Sequence, residues 1–212
     1  MEFYYDAASC TVVIEKLGQC DSLQNFYQRL PRENLVREVV LPKNCRSIPP
    51  GFVEDFVDLR RIDIPESVTT IGSRAFKGCI SLKSVKLPKK LKSVGFRVFA
   101  ASGIEKIEWP LDAVPDGTFL ICENLRTFTP KVPLQIIWAH AFSGCVKLNV
   151  KKLTVKLKIC NNAFLDCLAI EKLTIECPEI AEWAFRGCTS LQELTIKGCR
   201  SFGKACFSYC GL

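Results

Sequence analysis

Short alternations of polar and apolar residues recur along the chain at a steady interval. Leu59-Arg60-Arg61-Ile62-Asp63-Ile64-Pro65, Ser84-Val85-Lys86-Leu87-Pro88 and Lys152-Leu153-Thr154-Val155 each place every second side chain on one face. That is the period of a strand with one buried side. A proline often follows, and it ends the strand because it has no N–H to donate. Between these strands stands Ala-Phe-x-Gly-Cys or a variant of it. This stretch predicts a tight turn or a single helical turn with its ring pointing inward and a glycine at the corner, where backbone freedom is needed.

The phenylalanines set the period. Phe76, Phe99, Phe119, Phe142, Phe164, Phe185 and Phe207 are separated by 23, 20, 23, 22, 21 and 22 residues. A cysteine follows three residues later at Cys79, Cys122, Cys145, Cys167, Cys188 and Cys210, and an aliphatic residue six later at Leu82, Leu125, Leu148, Ile170 and Leu191. Weaker units precede these, with Val53 at the phenylalanine position and Val36-Arg37-Glu38-Val39-Val40-Leu41-Pro42 at a strand position. A unit of about 22 residues cannot bury its own apolar side, but stacked units make one continuous core with strands about 4.8 Å apart. The expected fold is therefore a repeat solenoid of about eight coils over residues 31–212. Residues 1–30 do not carry the repeat and are expected to form an irregular N-terminal cap over the first open face.

The fullest unit, Ile71-Gly72-x-x-Ala75-Phe76-x-Gly78-Cys79-x-x-Leu82-x-x-Val85-x-Leu87-Pro88, resembles the BspA-like leucine-rich repeat family. The resemblance covers roughly residues 36 to 212. It departs at Ser102, which replaces the cysteine expected after Phe99, and in the Phe142 unit, which carries extra residues before its strand. The resemblance implies an α/β-type leucine-rich repeat: a curved, right-handed array with a parallel strand ladder on the concave face and short turns or helical turns on the convex side. It also implies adhesion or protein binding, with family members often found on cell surfaces.

If the strands line the concave face, their outward side chains form the candidate partner-binding set. These are Arg61, Lys86, Lys106, Thr127, Thr129, Lys152, Thr154, Lys172, Thr174, Glu193 and Thr195. Thr129, Thr154, Thr174 and Thr195 read as one file, flanked by lysines and suited to a polar or acidic partner. Threonine also fits an exposed pleat for purely structural reasons. Trp109 reads as core, while Trp138 and Trp183 precede turns and read as surface anchors or turn residues. An uncovered last coil would favour self-association through the C-terminal end.

Composition modifies this picture in three ways. The chain is 48% hydrophobic and 24% charged, which excludes a disordered polymer. The net charge is +7, and no acid falls between Glu66 and Glu105 or between Glu123 and Asp166. The basic stretches 74–97 and 126–158 make a nucleic acid or acidic glycan a rival partner, against the plainer reading of a solvated face. Thirteen cysteines are many. The six at one repeat position read as a buried column of small apolar side chains. Disulfides between neighbouring coils are the alternative, since stacked Cα atoms about 5 Å apart lie within bridging range. Cys10, Cys20, Cys45, Cys160, Cys177, Cys199 and Cys206 fall outside that column.

Catalytic and cofactor signals are absent. There is no Cys-x-x-Cys pair, no glycine-rich phosphate loop and no nucleophile elbow. No metal, cofactor or catalytic residue is expected, and His140, the sole histidine, reads as an outward turn residue. A cysteine-dependent enzyme would have only His140 as its base. No run is long and apolar enough for a membrane span, and the amino terminus shows no signal-peptide pattern. These features favour the cytosol, whereas the family resemblance points to the cell surface.

Overall fold

A computed structural model describes residues 1–18, 21–31 and 35–212. It opens with a hairpin of β1 (Glu2–Asp6) and β2 (Thr11–Lys16), then the helix α1 (Asp21–Arg29). The chain next winds through coils that carry up to two short strands each. In order these are β3 (Glu38–Val40) and β4 (Ser47–Ile48), β5 (Arg61–Asp63) and β6 (Thr70–Ile71), then β7 (Ser93–Val94) alone. There follow β8 (Lys106–Trp109) and β9 (Ala113–Val114), β10 (Thr127–Pro130) and β11 (Leu134–Ile137), and β12 (Lys152–Ile159). The last are β13 (Lys172–Glu176) and β14 (Glu179–Ile180), and β15 (Glu193–Lys197) and β16 (Ser201–Phe202).

The coils stack through three sets of hydrogen bonds. The first ladder is parallel and runs in segments β2-β3-β5, β8-β10 and β12-β13-β15, with β1 added antiparallel at its outer edge. A second parallel ladder runs β4-β6-β7 and β9-β11-β12-β14-β16, and β12 is long enough to serve both. On the third side the phenylalanine turns are themselves paired. Phe76 donates its N–H to the carbonyl of Val98 at 2.9 Å, Phe119 to Ala141 at 2.8 Å and Phe164 to Ala184 at 2.7 Å. Backbone groups that a turn would otherwise leave unsatisfied find partners one coil away.

Inside this three-sided prism the rings stack. Centroids from Phe76 through Phe99, Phe119, Phe142, Phe164 and Phe185 to Phe207 are 4.9–5.7 Å apart and near parallel. The cysteine column runs beside them. Each thiol donates to the carbonyl at the phenylalanine position of the preceding coil. The contacts are Cys79 to Val53 at 3.1 Å, Cys122 to Phe99 at 2.9 Å, Cys145 to Phe119 at 3.1 Å, Cys167 to Phe142 at 3.2 Å, Cys188 to Phe164 at 3.3 Å and Cys210 to Phe185 at 3.2 Å. The twelve described cysteines are all free thiols; Cys20 lies outside the described residues. The column therefore takes the packed arrangement and not the inter-coil disulfides.

Of the two forms expected for the turns, the tight turn is the one adopted, while three other details differ from the sequence reading. The turns close without regular helix, and α1 is the sole α-helix among the described residues. Each turn instead uses two left-handed corners, two residues before and two after the phenylalanine position. In the Phe142 turn these are His140 (φ 53) and Gly144 (φ 73); in the Phe119 turn they are Gly117 (φ 56) and Ile121 (φ 58). His140 is accordingly a half-buried corner residue and not a freely projecting one.

The N-terminal segment, expected to be irregular, is regular over β1, β2 and α1. Val12 and Ile14 alternate with Thr11 and Val13, so β2 buries one face and adds to the first ladder beside β3. The second ladder was not anticipated, because strands of two residues such as β6 and β7 are too short to show an alternation.

Finally, Ser84–Leu87 is extended but forms no strand, and among the described residues its backbone makes no hydrogen bond to either neighbour. The corner from Leu87 to Val94 is two residues longer than the equivalent corner from Trp109 to Val114. The first ladder is open between β5 and β8.

Candidate functional site

The exposed side of the first ladder is the surface on which the predicted binding residues fall. Along each strand the central apolar residue is buried, as with Ile62, Ile107, Phe128, Leu153 and Leu173. Its polar neighbours face out. Arg61, Lys86, Lys106, Thr127, Thr129, Lys152, Thr154, Lys172, Glu193 and Thr195 are exposed, and Thr174 is half-buried. Trp109 is fully buried, with its Nε1 donating to the carbonyl of Ala113 at 2.9 Å. Trp138 is exposed, whereas the Trp183 ring lies 5.8 Å from the guanidinium of Arg186, which also reaches Tyr209 at 5.2 Å.

The threonine file does not form as read. Thr174 stands opposite Thr195 on one side but opposite Lys152 on the other, and Thr154 stands opposite Glu176 and donates to its carboxylate at 3.1 Å. The extra residues between Leu148 and Lys152 shift the register of β12 by two positions, so only Thr174 and Thr195 are neighbours.

Charges that look unopposed in the sequence are opposed in space by acids from adjacent coils. Lys131 meets Glu108 at 2.7 Å, Lys152 meets Glu176 at 3.1 Å, Lys172 meets Glu193 at 2.5 Å and Lys158 meets Glu179 at 2.5 Å. Lys77 reaches Glu54 at 2.8 Å, and Arg61 reaches Asp63 at 2.6 Å. Most of these pairs join residues 21 to 24 apart in sequence, one turn of the solenoid. They are the sheet's cross-strand ion pairs, and the exposed ones contribute little individually. The two basic stretches thus carry less free positive charge than their composition implies. Lys90, Lys92 and Arg97 in the first, and Arg126, Lys151 and Lys156 in the second, make no ion pair among the described residues.

Two open grooves interrupt the face. The larger, about 840 Å³, is lined by Ser84–Leu87, Lys89, residues 106–108, Pro110, Thr127, Thr129, Lys131 and Val132. It lies where the first ladder is open. A second, about 530 Å³, adjoins it through Lys131 and Val132 and includes Lys152 and Thr154. The structure therefore brings Lys86, Lys106, Thr127 and Thr129 together, and Lys152 with Thr154, while Arg61, Lys172, Thr174, Glu193 and Thr195 line neither groove. Lys89 and Lys131, which the alternation did not place on the face, also line the larger groove, as does Glu108, the outward neighbour of Lys106.

The buried thiols of the column are held neutral. Burial raises Cys79, Cys145 and Cys167 well above the ordinary thiol range and lifts Cys122 to about 11. Cys188 is raised first by its hydrogen bond with Cys210 and then by burial, and the same contact lowers Cys210. Among the described residues no thiol hydrogen-bonds to His140, and no group of three or more His, Cys, Asp or Glu is placed to hold a metal ion. No helix among them is long and apolar enough to cross a membrane.

The sequence matches the family model for the BspA type leucine rich repeat region in six copies, over residues 46–159 and 112–212. No curated protein matches. Among solved structures, a leucine-rich repeat protein from Eubacterium ventriosum is similar at 20% identity and a TM-score of 0.51, covering 86% of this chain and 45% of that one. A leucine-rich repeat protein from Bacteroides ovatus is similar at 23% identity and a TM-score of 0.47, covering 82% of this chain and 64% of that one. The T. pallidum leucine rich repeat protein, also at 23% identity and a TM-score of 0.47, is covered over 82% of its length by 95% of this chain. The chain spans less than two thirds of the length of the B. ovatus and E. ventriosum proteins.

Proposed function

This chain belongs to the BspA-type leucine-rich repeat family, and from that premise we propose that it is a non-enzymatic scaffold that binds a protein partner on the exposed side of its first strand ladder. The observation that carries the reading is the arrangement of that face. Its outward residues come from successive coils in a continuous, groove-bearing surface, while the apolar residues between them are spent on the core. Repeat proteins use extended surfaces of this kind for recognition, because a stack of coils supplies area more readily than an enclosed pocket. Burial keeps Cys79, Cys122, Cys145 and Cys167 protonated, which argues against chemistry at the column, since the thiolate is the nucleophile. The pairing of Lys131, Lys152, Lys158 and Lys172 with acids on neighbouring coils favours a protein partner over a polyanion.

The N-terminal segment fits the role of a cap in the same reading. β2 extends the first ladder, Leu23 is buried, and the Tyr27 ring stacks on Phe56 at 3.9 Å. Gln24 Nε2 donates to the carbonyl of Gly51 at 2.7 Å.

Site-directed photo-crosslinking in the native host tests the choice of face. A crosslinker at Thr127 or Thr174 is expected to give a discrete protein adduct. The same crosslinker at Asn161 or Lys204, beside the phenylalanine turns, is expected to give none. Adducts confined to the turn positions would overturn the assignment.

A further inference from the structure

The larger groove joins a basic rim to an apolar floor. Four lysines, Lys86, Lys89, Lys106 and Lys131, rim it against one acid, Glu108. Glu108 is committed to Lys131 at 2.7 Å. Lys86 has only Glu66 at the outer edge, at 3.9 Å. Lys89 and Lys106 form no ion pair among the described residues. Elsewhere on the ladder Arg61, Lys152 and Lys172 are each matched by an acid. Lys89 and Lys106 therefore leave positive charge unmatched where the ladder opens.

Beneath the lysines the lining is apolar: Val85, Leu87, Ile107, Pro110 and Val132, of which Val132 is exposed. No aromatic side chain lines the groove. A single-stranded nucleic acid held without sequence readout uses aromatic platforms for its bases as well as positive charge, and none is offered here. A peptide with acidic and aliphatic residues in alternation meets both features, because in an extended chain the two kinds of side chain lie on opposite faces. The groove draws its walls from three successive coils, about 10 Å across at the ordinary strand spacing. An extended segment covers that distance in about three to four residues.

We propose that this groove binds an extended acidic segment of a partner protein, with aliphatic side chains on Val132 and Pro110 and carboxylates at Lys89, Lys106 and Lys86. The proposal rests on the strand-face reading and narrows it to one site and one chemistry. Lys131 keeps its own acid and contributes mainly the stem of its side chain.

The test uses fluorescence anisotropy on the full chain with three labelled probes: the peptide (Glu-Val)5, its uncharged counterpart (Gln-Val)5, and a dT10 oligonucleotide. The (Glu-Val)5 peptide is expected to bind, to weaken as salt rises from 50 to 200 mM, and to bind at least tenfold more tightly than (Gln-Val)5 or dT10. The double variants K89Q/K106Q and K89E/K106E are expected to lose about tenfold or more for (Glu-Val)5 with unchanged thermal unfolding, since both lysines are exposed and unpaired. Equal binding of (Gln-Val)5, tighter binding of dT10, no binding of (Glu-Val)5, or indifference to both lysine variants would overturn the proposal. Crosslinks from Thr174 that survive K89E/K106E would retire the groove and keep the strand face. Absence of strand-face crosslinks in the unsubstituted chain would remove the wider reading as well.

Discussion

Cys122 sits in a dry column with its Sγ 2.9 Å from the carbonyl of Phe99, and it shares this environment with Cys79, Cys145, Cys167 and Cys188. Such thiols resist ionisation in the folded protein but ionise near pH 9 when unfolded. Folded pKa values above unfolded ones mean that the folded state holds more protons. The stabilisation is therefore complete below pH 9 and is lost as pH rises toward the folded values, about 11 for Cys122. Each thiol contributes a slope of about 1.4 kcal/mol per pH unit in that window, so the four raised first by burial, Cys79, Cys122, Cys145 and Cys167, together give about 6. Total stability of a domain is about 5–15 kcal/mol. The urea midpoint is expected to hold steady to pH 8.5 and collapse near about pH 10. A midpoint insensitive to pH up to 10.5 would mean that the column is wet. A second residue-scale expectation concerns Ile121, a β-branched side chain held at φ 58 and half exposed. Ile121→Gly relieves that backbone and is expected to raise stability by about 1 kcal/mol in urea unfolding.

At the scale of elements, the phenylalanine turn was fully legible in the sequence, because its ring, cysteine and aliphatic residue recur in phase. The second ladder was not legible, since two-residue strands such as β6 carry no period of their own and are defined only by the coil beside them. Ser84–Leu87 shows the converse: its alternation is as good as that of β8, yet it forms no strand. Local pattern sets which face a residue takes, but not whether the ladder closes. The ring stack should be weakest at its end. Phe142 is buried between Phe119 and Phe164, whereas Phe207 is half-buried with only Phe185 against its ring. Phe142→Ala is expected to cost about 3–5 kcal/mol, and Phe207→Ala distinctly less, by urea unfolding. Equal losses would argue against stacking as the source of the core's cohesion.

At the scale of the whole molecule, repetition turns sequence distance into adjacency. Residues 21 to 24 apart become neighbours, which is why acids outside the basic stretches neutralise Lys131, Lys152 and Lys158. The outward residues of the strand face could be read from the alternation. Their grouping could not, because the register of β12 and the opening beside β8 appear only when coils are stacked. The direct measurement of the central claim is the affinity of the crosslinked partner, once purified, for face-specific variants. Thr127→Arg and Thr174→Arg place a bulky charge on the strand face, while Asn161→Arg and Lys204→Glu alter the turn side. The account predicts a hundredfold or greater loss for the first pair and less than a twofold change for the second. Strand-face variants that bind as well as the parent protein, with turn-side variants that do not, would contradict it.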